Sequence, residues 1–207
     1  MDVYTEGCIL TFKVKKLIRP AIFLDRDGTL TKRQGVTLVK SQLRLQRGAS
    51  RLIHFINSLG LPVVVITNQG SVARGHITLR GVRNLHRHVH KLLEKKGARI
   101  DAFYFCPHHP TEGVIKRYRV ICSCRKPRTG LFKRAAKDLD LDLRKSVMIG
   151  DTTLDIMAGK HAGMKTVLVK TGHKGQDRTF DVKADYTVTS LTALRPLLDK
   201  IYKKTRS

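Results

Sequence analysis

Four short apolar runs punctuate the chain: "AIFL" at 21–24, "LPVVVI" at 61–66, "SVMI" at 146–149 and "TVLV" at 166–169. Each is rich in β-branched residues, too short for a helix, and followed by polar or glycine-containing sequence. Continuous rather than alternating apolar character marks strands buried on both faces of a parallel sheet. "IDAFYF" at 100–105 is a fifth strand of the same kind. Between the strands the apolar spacing is helical. It predicts helices over Ala49–Leu59, stopped by Gly60, and over Leu79–Lys96, Gly130–Leu139, Thr153–Ala162 and Leu191–Lys203. Strands that alternate with helices predict a doubly wound, mainly parallel α/β sheet. Ligands of such sheets sit beyond the carboxyl ends of the strands, so the residues after each strand are the ones to read.

"DRDGTL" follows the first strand. Asp25 and Asp27 are two apart and point the same way in an extended segment, and Gly28 allows a sharp turn. "TNQG" follows the second strand and brings Thr67, Asn68 and Gln69. "GDTTLD" follows the fourth, with Asp151 and Asp155 at the start of a helix. Singly, each has a plain structural reading: an Asp-Gly turn, a Thr-Asn turn or cap, an Asp N-cap. Together, at successive sheet ends, they point to a site. Arg74, in "VARG", is placed either to reach a substrate phosphate or to lie on the surface.

A second cluster brackets one loop. Cys106 and His108 stand in "CPHHP", and Cys122 and Cys124 in "CSCRKP". Three thiolates and an imidazole suit a tetrahedral Zn²⁺. The competing readings are buried free thiols, or a redox pair without the Cys-x-x-Cys helix start that such pairs use. His109 competes with His108 as ligand, and Cys8 is read as an ordinary apolar residue. "HRHVH" puts His86, His88 and His90 on a helix. His86 and His90 could share a face and bind a metal, but no acidic partner is near, and a solvated basic face is expected.

"FLDRDGTL", "ITNQG", Lys126 and "MIGDTTLD" resemble the four motifs of the haloacid-dehalogenase-like phosphatase superfamily. The resemblance implies a Rossmann-like core and dependence on Mg²⁺. Asp25 would be the nucleophile that forms an aspartyl-phosphate. Asp27 would be the general acid and then the base, its proton held near neutral pH by a dense anionic site. Thr67 and Lys126 would hold the transferring phosphoryl oxygens. Asp151, the Asp25 carboxylate and the Asp27 backbone carbonyl would bind Mg²⁺, with Asp155 in support. Asn68, Gln69 and Arg74 would face the substrate.

"YFCPHHP" and "CRKP" narrow the resemblance to the zinc-loop group of that superfamily, which contains the heptose-bisphosphate and histidinol-phosphate phosphatases. The likeness runs from Pro20 to Thr171. It implies no large cap domain, a structural Zn²⁺ on Cys106, His108, Cys122 and Cys124, and a substrate contact from Arg125. It also implies removal of the 7-phosphate of D-glycero-D-manno-heptose 1,7-bisphosphate, a step toward nucleotide-activated heptose and lipopolysaccharide, with histidinol phosphate as the second substrate. "TKRQGV" at 31–36 departs from the heptose enzymes: Lys32, Arg33, Gln34 and Val36 stand where they carry an acidic residue, a histidine and an aromatic.

Composition changes one part of this picture. Of 207 residues, 41 are Lys or Arg and 16 are Asp or Glu, a formal charge of +25. Such a balance suits a polyanionic partner, so a polynucleotide end phosphatase is the rival enzyme, and a non-catalytic basic binding module the rival of another class. The basic residues are spread along the chain, which equally fits a general bias toward them. No apolar run approaches a membrane span, and the opening stretch has no basic n-region with an apolar h-region. The expectation is a cytoplasmic monomer on a phosphorylated small molecule. It would have a basic extension over 1–18, one domain over 19–203 with its zinc loop at 106–124, and a tail at 204–207.

Overall fold

The computed structural model describes residues 18–33 and 35–203. The expectations for 1–17, including Cys8, for Gln34 and for the tail at 204–207 lie outside the described residues. Six strands form one sheet: β1 (Ile22–Leu24), β2 (Val63–Asn68), β3 (Ala102–Cys106), β4 (Val147–Gly150), β5 (Lys165–Val169) and β6 (Tyr186–Val188). Their order is β3-β2-β1-β4-β5-β6, and every pairing is parallel. The chain moves outward from β1 in one direction and from β4 in the other. The crevice between those two strands is therefore the switch point at which doubly wound sheets bind ligands.

Successive side chains of the central strands feed opposite faces, which explains why the runs are apolar throughout. Ile22, Leu24, Val63 and Val65 pack against α1 (Ala49–Ser58), α2 (Leu79–Glu94) and α5 (Leu194–Lys203). Ala21, Phe23, Val64, Ile66 and Met148 pack against α3 (Gly130–Leu139) and α4 (Thr153–His161). On that second face Phe132 of α3 meets Phe23 edge-on at 5.5 Å between ring centroids.

The expected strands and helices are present with ends shifted by a few residues. Gly60 stops α1 in the left-handed conformation, at φ 71°. The last helix begins late, at Leu194, after a single 3-10 turn at Leu191–Ala193. The strand not anticipated is β6. It is three residues long and only partly buried at the sheet edge, so it carries no apolar run to read. Between β3 and α3 the chain has no element longer than the 3-10 turn at Lys116–Tyr118, and no cap domain interrupts the described residues.

The two-faced core gives a direct expectation. Phe132 is fully buried. Phe132→Ala should lower unfolding free energy by about 3–5 kcal/mol in urea titration. A loss below about 1 kcal/mol would mean that this face is not close-packed.

Candidate active site

Main-chain register sets the site. Leu24 pairs with Val65 on one side and Ile149 on the other, so β1 and β4 end within one residue of each other, while β2 runs on to Asn68 beside β3. Asp25 continues β1, its N–H donating to the Ile149 carbonyl at 3.0 Å. Two glycines then let loops close around Asp151. A Cβ on Gly28 (φ 103°) or on Gly172 (φ 45°) would collide with the Asp151 carboxylate. Asp151 Oδ1 accepts from the Thr29 hydroxyl at 2.9 Å and Oδ2 from the His173 N–H at 2.8 Å.

Lys126 enters from the opposite direction, at the end of the cysteine loop. Its backbone is clamped by Asn68 in a reciprocal pair: Lys126 N–H to Asn68 Oδ1 at 3.0 Å, and Asn68 Nδ2 to the Lys126 carbonyl at 3.2 Å. Its ammonium donates to Asp25 Oδ1 at 2.6 Å, Asp155 Oδ1 at 2.5 Å and the Ile66 carbonyl at 3.0 Å. All three of its protons are thus spent on buried acceptors. Asp155 is held in turn by the Thr152 hydroxyl, 2.6 Å from its Oδ2, within the capping box of α4.

Three buried carboxylates, Asp25, Asp151 and Asp155, therefore share one lysine. Burial pushes Asp25 up to about 8; Lys126 counteracts this, while Asp155, Asp151 and Asp27 add to it. Asp151 is raised as well, by burial and then by Asp155. Lys126 is held well above the usual lysine range: the two carboxylates outweigh its own desolvation. The carboxylate oxygens of the three aspartates lie within 4.8 Å of one another. An excess of negative charge over one ammonium, on hard oxygen donors, fits a small divalent cation such as Mg²⁺.

Asp27 sits differently from the sequence expectation. Its two oxygens accept from Arg26 Nε and Nη2 at 3.0 and 2.7 Å, and Oδ2 also accepts from Gln69 Nε2 at 2.8 Å. Burial alone would raise its carboxyl, but the Arg26 charge and these hydrogen bonds outweigh burial and lower it. The expectation of a proton retained near neutrality is thus corrected: in the substrate-free site Asp27 is a carboxylate. The cause is Arg26, which a reading of "DRDGTL" by its aspartates alone passes over. Arg26 in turn meets His86, so the expected solvated face of "HRHVH" is also corrected. His86 is buried, while His88 and His90 are partly exposed.

The Cys–His cluster forms as spaced. The Sγ atoms of Cys106 and Cys122 lie 3.5 Å apart and those of Cys122 and Cys124 3.3 Å, too far for disulfides. His108 Nδ1 lies 3.6 Å from Cys106 Sγ and 3.2 Å from Cys124 Sγ. Ligands about 2.3 Å from a central zinc would stand at such separations, so the donor set fits the ion. His109 is occupied elsewhere, its Nδ1 accepting from the Glu112 N–H at 2.8 Å.

A cavity of about 200 Å³ opens over these groups. Thr67, Asn68, Gln69, Arg74, Arg125 and Lys126 line it together with Asp25, Asp27 and Asp155, and Arg33, Val36 and Thr37 form one wall. Asp151 lies beneath, fully buried. Arg125 donates to the His108 carbonyl at 3.0 Å, and Arg74 pairs with Glu112 at 2.8 Å. Ser71 and Thr37 complete the lining without any advance signal in the sequence.

Comparison with known proteins places this geometry in a family. A family profile described as HAD-hydrolase-like matches residues 123–194. The D-glycero-beta-D-manno-heptose-1,7-bisphosphate 7-phosphatase of Haemophilus ducreyi is 37% identical over 183 residues, 87% of this chain and 99% of that protein. The enzyme of the same name from Rhodopseudomonas palustris is 42% identical over 146 residues, 70% of this chain and 81% of that one. Among solved structures, the D,D-heptose 1,7-bisphosphate phosphatase of B. bronchiseptica, complexed with magnesium and phosphate, superposes with a TM-score of 0.76 at 27% identity, covering 87% of this chain and 98% of that one. With identity of this level along almost the full length of a relative, and the same fold, the chain belongs to the heptose-1,7-bisphosphate 7-phosphatase family of the haloacid-dehalogenase-like hydrolases.

Proposed function

We propose that the protein is a cytoplasmic, monomeric phosphomonoesterase that removes the 7-phosphate of D-glycero-D-manno-heptose 1,7-bisphosphate. One observation carries the chemistry: a buried carboxylate, Asp25, stands at the switch-point crevice with Lys126 2.6 Å away and Asp27 in the same cavity. The substrate assignment is supported by the relatives' names and their near full-length match.

Asp25 attacks phosphorus, and the bond to the sugar oxygen breaks. Lys126 and Thr67 take the charge that spreads over the equatorial phosphoryl oxygens. Substrate dianion arriving beside Asp27 raises its proton affinity, so it takes up a proton from solvent, enters the first step as acid and delivers that proton to the leaving alkoxide. It is then an ionised base for the water that releases phosphate from Asp25. Asp25, Asp151 and the Asp27 carbonyl would hold Mg²⁺, which would supply the positive charge that lets a carboxylate approach a phosphoryl group. Arg74 and Arg125 line the mouth and suit the remote phosphate. Cys106, His108, Cys122 and Cys124 would hold a Zn²⁺ that would fix the loop base two residues before Lys126, a side chain that must be placed within about half an ångström.

Three measurements test this. Purified protein with Mg²⁺ should hydrolyse the heptose bisphosphate, and Asp25→Asn should lose at least about a thousandfold in kcat. Turnover of histidinol phosphate or a 3′-phosphorylated oligonucleotide in its place would remove the substrate assignment. Elemental analysis should find one zinc per chain, and Cys122→Ser should lose it together with activity; a zinc-free, fully active protein would refute that role.

The third measurement uses pH. In Mg²⁺-free buffer Asp25 is protonated in the fold up to about 8 but ionises near 3.8 when unfolded. Folding therefore takes up a proton between those values, and this contribution to stability falls as pH rises from about 4 to about 8, then levels. Mg²⁺ binding must displace the same proton, so the rise in Tm on adding Mg²⁺ should grow from pH 6 to pH 8.5. A Mg²⁺ effect independent of pH would contradict the assignment of Asp25 as ligand.

A further inference from the structure

We propose that His86 is a positioning residue for proton transfer: its imidazole holds the Arg26 guanidinium in the orientation that aims the Asp27 carboxylate. The inference rests on the reading of Asp27 as acid and base.

Arg26 follows the nucleophile in sequence, yet its side chain is 1% exposed. Nε and Nη2 reach the two oxygens of Asp27, as described above. The remaining arm, Nη1, meets Nε2 of His86 at 3.0 Å, sixty residues away on α2. A guanidinium has donors only, so the imidazole must accept. That fixes the tautomer: Nε2 carries a lone pair and the ring proton is on Nδ1. Burial, and then the Arg26 charge, push His86 down to about 3, which keeps it an acceptor across the physiological range.

The ring has no freedom to turn away. It stacks on Phe103 at 4.7 Å and 17°, and meets Phe105 edge-on at 5.5 Å and 76°. Both phenylalanines belong to β3. Three elements are thus joined in line: β3 fixes His86, His86 fixes Arg26, and Arg26 fixes Asp27. A two-point fork holds a carboxylate in plane only while the guanidinium itself cannot rotate, and the third contact at Nη1 removes that rotation. His86 does not line the cavity, whereas Arg26 and Asp27 do. Its influence on the reaction therefore passes through Arg26.

The test compares leaving groups. A sugar alkoxide leaves only with a proton; p-nitrophenolate leaves without one. Leaving-group release in the first turnover isolates transfer to Asp25 from the later attack of water. His86→Phe keeps the stacking and removes the acceptor. It should slow first-turnover release from heptose bisphosphate about tenfold with little change in KM, and slow release from p-nitrophenyl phosphate by less than about twofold. His86→Gln restores an acceptor and should recover most of the rate. Equal losses on the two substrates, or no recovery with Gln at matched Tm, would overturn the proposal. Should His86→Phe fail to fold, His86→Leu serves the same comparison with Gln. Asp27→Asn separates the two levels. If it does not selectively lose the alkoxide substrate, the reading of Asp27 fails. If it does and the His86 variants show no such selectivity, only the role of His86 fails.

Discussion

The ammonium of Lys126, placed between Asp25 and Asp155 and against the Ile66 carbonyl, is the contact on which the site depends. It is a buried charge, and a buried charge is tolerated only where every proton is matched. Tilting the lysine would break all three contacts at once and leave its buried ammonium without matched acceptors. The remaining features can be understood as ways of holding this triad: the Asn68 clamp on the Lys126 backbone, the Thr152 hydroxyl on Asp155, and the register of β1 against β4. The same arrangement is unbalanced by design of the sequence. Three carboxylates face one ammonium, and the surplus is what a divalent cation and then a phosphoryl group can exploit.

A second constraint joins the cysteine loop to the acid–base residue. The Gln69 N–H donates to the Cys106 carbonyl at 2.7 Å. The Gln69 side chain donates to both Asp27 and the Thr67 hydroxyl. Cys106 is at once the last residue of β3 and a member of the thiol cluster. The loop that carries Lys126 and the strand end that steadies Asp27 therefore share a foundation.

Most of the fold was legible because the sheet is buried on both faces. A strand of that kind must be apolar throughout, and β1, β2, β4 and β5 declare themselves by that alone. The same physics hides β6, which lies at an edge and is only half covered. The aspartates, Lys126 and the Cys–His set were legible because each stands directly after a strand or in a short spacing that few other roles require. Arg26 and His86 were not. A charged residue flanked by two motif aspartates reads as filler, and a histidine on a basic helix reads as solvent-facing. What makes them partners is a contact across sixty residues, and neither periodicity nor spacing encodes it.

The exposed rim at Arg33, Gly35 and Val36 stands apart from all of this. Its stem is tied by main-chain bonds, Lys32 N–H to the Arg44 carbonyl and Gly28 N–H to the Thr31 carbonyl, each 2.8 Å. Past that stem, Arg33, Gly35 and Val36 are exposed and contribute nothing to either core. Side chains there can be exchanged at almost no cost to folding, while the groups that break the phosphate ester stay fixed in the sheet. The molecule thus separates the part that can drift from the part that cannot. New substrates could be reached along this lineage by altering one short rim, with the hydrolytic machinery inherited intact.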